Sequence, residues 1–525
     1  MRTTDIQLNN LFYTQSYKIL VCFPFPVKSL NILGAAAVRH LLNDGHEVTF
    51  MTTHPIDSIQ NKNFRQIDIS KGDMFESKYL FNNIMCKDLL SKQIKLDHFD
   101  NLLKYRIITY KQFAVYMAQL FFENENVIKL INDPNEHFDA VIVDLMETEV
   151  YAGLAVLYDC PMMWLYSLGA HWQVLRIIAD PSNPAYDPDY LGTNIPPLTF
   201  TQRVEELWIR VKWNYYKTFY SLPADKKMYE ENFGPLVAKR GRTLPDYTEV
   251  SYNSSLIFGN EHNANMYKPS TPQNFKYIGG FHVEDPVKPL SKDLQNLMDN
   301  SPHGVIYFSM GSCLKGKTWP IEIIKSLLDI FGELKQTVIW KYEVPLPDVP
   351  KNVHIVHWAP QQSILAHTNC KFFITHGGML SSIESIHFGV PIIGIPVWFD
   401  QIINIVKAQS NGYALKVDFN MNMPSNLKLA INVMLNDQKE KAKDLSSLYH
   451  DRLVKPGAEF VHWVKHVIRT GGAPHLRSPA LKVQLYQRLY LDLLAVILGI
   501  LYIIYISLFT IVKRFTKNVT KIKKQ

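Results

Sequence analysis

Short uninterrupted apolar runs alternate with helical spacings along most of the chain, in two series separated by a proline-rich break at Pro286 to Pro289. Lys18 to Phe23 (KILVCF) ends at a proline-containing loop, and a helical pattern from Ile32 to Leu42, Gly45 and a second run, Glu47 to Thr52, follow it. Run, helix, run is the βαβ unit that opens a parallel sheet, whose strands are covered on both faces and so read as continuous apolar stretches. Asp139 to Val143, Pro161 to Tyr166, Ser255 to Phe258 and Phe275 to Ile278 predict further strands. Between 180 and 245 the pattern turns to loops rich in Pro, Asn and Tyr mixed with amphipathic helices such as Gln202 to Phe219, which predicts a substrate-facing insertion. A second α/β series starts at Gly304, with strand-like runs at Val305 to Ser312, Thr337 to Tyr342, Val353 to Trp358, Lys371 to Gly378 and Val390 to Val397. The expected organisation is an atypical segment at 1–16, a first lobe at 17–284, a linker at 285–290, a second lobe at 291–440 and return helices at 441–490. In doubly wound sheets ligands bind beyond the carboxyl ends of the strands, so the cleft between the lobes is the expected site.

The pattern ends differently. Leu493 to Val512 reads LLAVILGILYIIYISLFTIV without a charge, and as a helix these residues rise about 30 Å, enough to cross a bilayer core. We assign a transmembrane helix to 491–512 and a basic tail to 513–525. The positive-inside rule puts that tail in the cytoplasm and the lobes in a lumen. Lys521 and Lys523 resemble lysine signals that return membrane proteins to the endoplasmic reticulum, which is the expected location. Residues 1 to 16 contain no apolar signal-peptide core, so entry into the lumen has no visible device. Asn253 opens an Asn-Ser-Ser sequon, a glycan acceptor if lumenal and exposed.

Charge and cysteine usage narrow the classes. Of the 525 residues 47% are hydrophobic, ample for two cores, and much of the net charge of +7 comes from the six Lys and Arg after residue 512. With no basic stripe or zinc-ligand spacing elsewhere, nucleic-acid binding is excluded. The five cysteines, Cys22, Cys86, Cys160, Cys313 and Cys370, are odd in number and scattered, which fits core thiols better than a disulfide framework.

The densest chemistry lies between Trp358 and Gln401. A strand ending at Thr375, the glycines Gly377 and Gly378, and a helix from about Met379 would turn unpaired amide N–H groups and a positive dipole end toward the cleft, a cradle for a diphosphate. Ser381 can donate a hydroxyl to phosphate, Glu384 can grip ribose hydroxyls, and Trp358 offers a face for a flat base. Asp400 and Gln401 supply acceptors and donors for sugar hydroxyls.

In this cluster the chain resembles the UDP-glycosyltransferase superfamily, and within it the membrane-bound insect members. The matching residues are WAPQ (Trp358 to Gln361), THGG (Thr375 to Gly378), Ser381, Glu384, GVPIIGIP (Gly389 to Pro396) and DQ (Asp400, Gln401). YFSMGS, GGAPHLRS (Gly471 to Ser478), FPFP and NILG extend the likeness over nearly the whole chain. The resemblance implies a GT-B fold, two Rossmann-like lobes with the acceptor in the first and a UDP-sugar in the second. It also implies that Trp358 stacks on uracil, Glu384 binds ribose, and His376, Gly378 and Ser381 bind diphosphate. Asp400 and Gln401 would orient the hexose, with Ser309, Gly311, Ser312, Gln361 and Gly377 in the same donor site. Implied too are inversion at the sugar, no metal and no resident cofactor. The co-substrate would be UDP-glucose, consumed in detoxifying glucosylation of small lipophilic acceptors. The sequence leaves a homo-oligomer undecided.

Family members remove the acceptor proton with a His in the first βα loop, held by an Asp after a later strand. Asp144, closing DAVIVD, matches that Asp, with an ordinary helix cap as the alternative. The His position is Leu30, in Lys28-Ser29-Leu30-Asn31, and a leucine accepts no proton. Three readings follow. Acceptors could be amines or thiols that need little base assistance; His171 could serve as a substitute base; or the chain could bind UDP-sugars or lipophiles without turning them over. The intact donor cluster speaks against the last.

Overall fold

The computed structural model describes residues 15–70, 109–146, 148–178, 182–262, 270–312, 316, 319–437 and 439–522. The expectations placed on residues 1–14, Cys86, Cys313 and Lys523 lie outside these. Among the described residues two all-parallel sheets carry the fold, one in each half.

The first sheet has seven strands in the order β3-β2-β1-β4-β5-β6-β7: β1 Lys18–Phe23, β2 Glu47–Thr52, β3 Phe64–Asp68, β4 Ala140–Asp144, β5 Met162–Tyr166, β6 Leu256–Gly259 and β7 Phe275–Tyr277. The second has six, β10-β9-β8-β11-β12-β13: β8 Val305–Ser309, β9 Thr337–Lys341, β10 Val353–Val356, β11 Cys370–Thr375, β12 Ile392–Gly394 and β13 Ala414–Lys416. The central runs became strands because helices cover both faces, so each residue of β4, β5 and β8 is buried. Strand β3 was not anticipated: it is a half-exposed edge whose sequence, FRQID, holds no apolar run. Strand β13 is only three residues long.

Strand order reverses between β1 and β4 in the first lobe and between β8 and β11 in the second. These are the switch points at which loops leave in opposite directions and open a crevice. Helix α1 (Lys28–Asn43) follows β1 and packs so closely on it that a Cβ at Gly34 would meet the Phe23 and Phe50 rings within 2.9 Å. Helices α2 (Phe200–Tyr216) and α3 (Leu222–Lys239) join through a π-turn at Lys217–Ser221. In the second lobe α4 (Met379–Phe388) follows β11 and α5 (Gln401–Ser410) follows β12.

The chain then returns. Helix α6 (Pro456–Arg469) packs Phe460, Val461, Val464 and Val467 into the core of the first lobe, with Phe460 against Phe258 and Phe281. Beyond it, α7 (Leu491–Ile522) contains an apolar stretch, Leu491–Thr516, long enough to cross a membrane and buried nowhere in the protein. Cys22 and Cys370 are buried, in keeping with core thiols.

Candidate active site

A cavity of about 620 Å³ opens between the two switch points and draws its walls from both lobes. All the donor-site residues singled out in the sequence line it except Gly377. Ser309, Gly311 and Ser312 reach it from the end of β8; His376, Gly378, Ser381 and Glu384 from β11 and α4; Asp400 and Gln401 from the head of α5. Trp358 and Gln361 come from the loop after β10 and the short helix Gln361–Ala366.

Gly378 caps α4 in extended conformation, so the first amides of a ten-residue helix face the cavity with the positive end of its dipole. Gly377, at φ +81°, shapes the turn instead of lining it; a Cβ there would lie 2.4 Å from Ile405. Gly311, at φ +74°, lets the β8 loop lie flat on the His376 ring, which a Cβ would approach to 2.5 Å. Burial, then the nearby Lys341 ammonium, push the His376 pKa down to about 4, so its ring is neutral at pH 7 and offers a single N–H. Lys341 is itself fixed by donating to the Gly311 carbonyl at 2.7 Å.

Glu384 is buried and accepts from Gln361 Nε2 at 2.5 Å and Gln362 Nε2 at 2.9 Å. Gln361 also reaches Ser381 Oγ at 3.1 Å, which makes hydroxyl, carboxylate and carboxamide one connected group. Burial raises the Asp400 pKa to about 6, while the Asn404 side chain and backbone amides hold it back from rising further. Gln401 spends its carbonyl oxygen on the Val397 and Trp398 amides, which leaves its NH2 for a ligand.

The first lobe supplies an apolar wall, in which Leu30 stands with Phe25, Phe113, Met146, Tyr166 and Tyr190. Leu30 lies in the first turn of α1, where Asn31 ties the loop by donating to the Phe25 and Val27 carbonyls. Asp144 ends the neighbouring β4 and is completely buried; neither carboxylate oxygen meets a hydrogen-bonding partner among the described residues. Desolvation lifts its pKa to about 8, so it is largely protonated at pH 7. It caps no helix, since the next helical turn begins at Val150.

One expectation needs correction. His171 does not face the acceptor wall: it sits behind Tyr166, whose hydroxyl lies 2.7 Å from Nε2, and its ring packs on Tyr190 at 4.2 Å. Burial pushes its pKa to about 3, the wrong direction for a proton acceptor, and it borders a separate hollow of about 40 Å³. Of the described residues of the 180–245 region, Tyr190 alone reaches the large cavity, while Asp187 to Tyr190 and Asn194 to Pro196 line the smaller hollow next to Asp400. What the sequence reading missed is Lys28, whose ammonium crosses from the first lobe to lie 3.4 Å from the centre of the Trp358 ring. A basic residue two places before the expected base was the available signal.

The sequence profile described as UDP-glucoronosyl and UDP-glucosyl transferase matches residues 18–525. The chain belongs to this UDP-glycosyltransferase family. UDP-glucosyltransferase 2 of Dactylopius coccus is 33% identical over 92% of this chain and 90% of its own. UDP-glucuronosyltransferase 2A3 of Homo sapiens is 26% identical over 88% and 86% respectively. Among solved structures, glycosyltransferase VinC in complex with dTDP superposes with a TM-score of 0.56 at 13% identity, covering 86% of this chain and 99% of that one. The calicheamicin glycosyltransferase CalG4 gives 0.55 at 15%, covering 87% and 99%. This UDP-glycosyltransferase therefore has the two-lobed GT-B fold and a UDP-sugar as co-substrate. Among its described residues no group of three or more His, Cys, Asp or Glu side chains is arranged to hold a metal ion.

Proposed function

We propose that this UDP-glycosyltransferase moves a hexose, glucose in our reading, from UDP to small lipophilic amines or thiols with inversion at the anomeric carbon. The observation that carries this is Leu30 on the apolar wall with Asp144 buried and unpaired behind the same switch point. The acceptor nitrogen or sulfur forms the bond to C1 as the C1–O bond to diphosphate breaks, and UDP leaves with the electron pair. A thiolate has no proton to lose, and an ammonium formed by attack sheds its proton to solvent. Neither needs the positioned base that a hydroxyl requires. Charge developing on the leaving diphosphate is met by the α4 amides, Ser381 and the His376 N–H, with Lys341 close by. Glucose is favoured by the resemblance to insect members and by the printed name of the Dactylopius relative.

Matched phenol, aniline and thiophenol acceptors with UDP-glucose, read by UDP release, test the proposal. The amine and thiol should turn over and the phenol much more slowly; a phenol that is the fastest of the three overturns it. Tight UDP binding with no turnover of any acceptor would instead favour a carrier of UDP-sugars or lipophiles.

Replacing Glu384 by Ala should raise KM for the UDP-sugar roughly ten- to a hundredfold, because hydrogen bonds to a charged group are worth about 1.5–3 kcal/mol. An unchanged KM would remove Glu384 from the donor site. His171→Ala should leave the relative rates on the three acceptors as they are, since its ring lies behind Tyr166 and Tyr190 and does not itself line the cavity.

We further assign α7 as a single membrane span of the endoplasmic reticulum with both lobes lumenal. Asn253 is exposed and touched by Arg477. On that topology it carries a glycan, so the wild-type chain but not Asn253→Gln should shift on endoglycosidase H treatment.

A further inference from the structure

Helix α2 carries apolar side chains on its outward side as well as its inner one. Its protein-facing side combines two charged anchors with one aromatic contact: the Glu206 carboxylate accepts from the Asp189 amide at 2.8 Å and from Asn194 at 2.7 Å, Arg210 donates to the carbonyls of Ser182 and Asp187, and Trp213 packs edge-on against Trp172. One residue past its end, Lys217 pairs with Glu149 at 2.6 Å and Asp225 at 3.2 Å, all three buried. The outward side is apolar. Phe200, Val204, Leu207, Trp208, Val211 and Tyr215 are each about half exposed or more, and Phe219 and Tyr220 continue the face through the π-turn. At 100° per residue the six on α2 fall within an arc of about 100°. A water-soluble helix turns charged and polar residues outward there. Exposed apolar side chains scattered singly need no explanation, but a contiguous aromatic stripe does.

The flanks of the stripe say what covers it. Arg203 lies against the Phe200 ring and Lys212 against the Trp208 ring, so each edge carries a cation whose stem runs along the apolar surface. Aromatic residues with Trp and Tyr among them, bordered by Lys and Arg, are the composition of a helix lying in the headgroup layer of a bilayer. The same chain holds a second unpartnered apolar surface, Leu491–Thr516. One solvent, lipid, would cover both.

We propose that the outward face of α2 and the following π-turn rests in the interfacial layer of the membrane that α7 crosses. This rests on the assignment of α7 as a span. The contact also has a place in the reaction. The loop held by Glu206 and Arg210 carries Tyr190 into the acceptor wall, so a lipophilic acceptor dissolved in the bilayer meets the protein beside its own cavity.

The test uses the full-length chain in phosphatidylcholine vesicles whose acyl chains carry bromine, a contact quencher of indole. Trp208 emission is taken as the difference between wild type and Trp208→Phe, both checked for unaltered UDP binding. We expect that difference to be lost in brominated vesicles and kept in unbrominated ones. Val211→Trp in the Trp208→Phe background, which returns an indole to the same face, should be quenched likewise. Resistance to alkaline extraction reports the span separately. A chain that resists extraction while its Trp208 emission is unaffected overturns the face and leaves the span. A chain that is extracted overturns both. Unquenched Trp208 with efficient cross-linking between Leu207→Cys chains would overturn the lipid contact in favour of a second copy.

Discussion

Leu30→His should raise turnover of phenolic and alcoholic acceptors by about a hundred- to ten-thousandfold, the range a positioned general base contributes. The substitution puts an imidazole in the first turn of α1, on the apolar wall at the carboxyl end of β1, whose neighbouring strand β4 ends in Asp144. Asp144 has no other partner among the described residues, so it is available to hold the new ring and stabilise its protonated form. Amine turnover should change little. The gain should vanish when Asp144→Asn is added, although Asp144→Asn alone should leave amine turnover near wild type. Steady-state rates on matched phenol and aniline acceptors read all four variants. A Leu30→His enzyme with unaltered phenol turnover would mean that the missing imidazole is not what limits hydroxyl chemistry.

The second large effect is on stability and depends on pH. The Asp144 pKa is about 8 in the folded protein against an ordinary 3.8. The folded state therefore holds a proton that the unfolded chain gives up between those values. Stability from this group is fully present below pH 3.8 and is lost as pH rises toward 8. The difference between 3.8 and about 8 corresponds to roughly 6 kcal/mol at most, the proton-linked cost of keeping the site at pH 8. Asp144→Asn does not titrate, so its Tm should exceed that of the wild type by a margin that widens from pH 5 to pH 8. A margin equal at both values would show that the carboxyl is not buried in its neutral form. With His at position 30 the dependence should weaken, because an imidazolium partner favours the ionised carboxylate.

The second lobe's share of the cavity wall was readable from the sequence because most of its groups fall within one stretch, Trp358 to Gln401, where each strand end or helix start contributes a residue whose chemistry is visible. The sheets were readable because parallel strands buried on both faces leave long apolar runs. Helix α2 was not readable in the same way. Phe200, Val204, Leu207 and Val211 repeat at helical spacing whether they point into a core, a ligand or a lipid, and only their exposure separates these cases. His171 looked available because sequence shows a loop histidine but not Tyr166 and Tyr190 closing over it. The Lys28–Trp358 contact joins residues 330 positions apart, a distance over which spacing arguments carry no information.

The docking of α6 sets a timetable for biosynthesis. The first lobe's apolar interior is finished by Phe460, Val464 and Val467, which leave the ribosome long after β7. At elongation rates of about 5–20 residues per second, the nascent domain waits roughly ten seconds or more with one flank uncovered. It is sealed only shortly before the hydrophobic tail itself is made, so the earliest-synthesised half of the enzyme is the last to be completed.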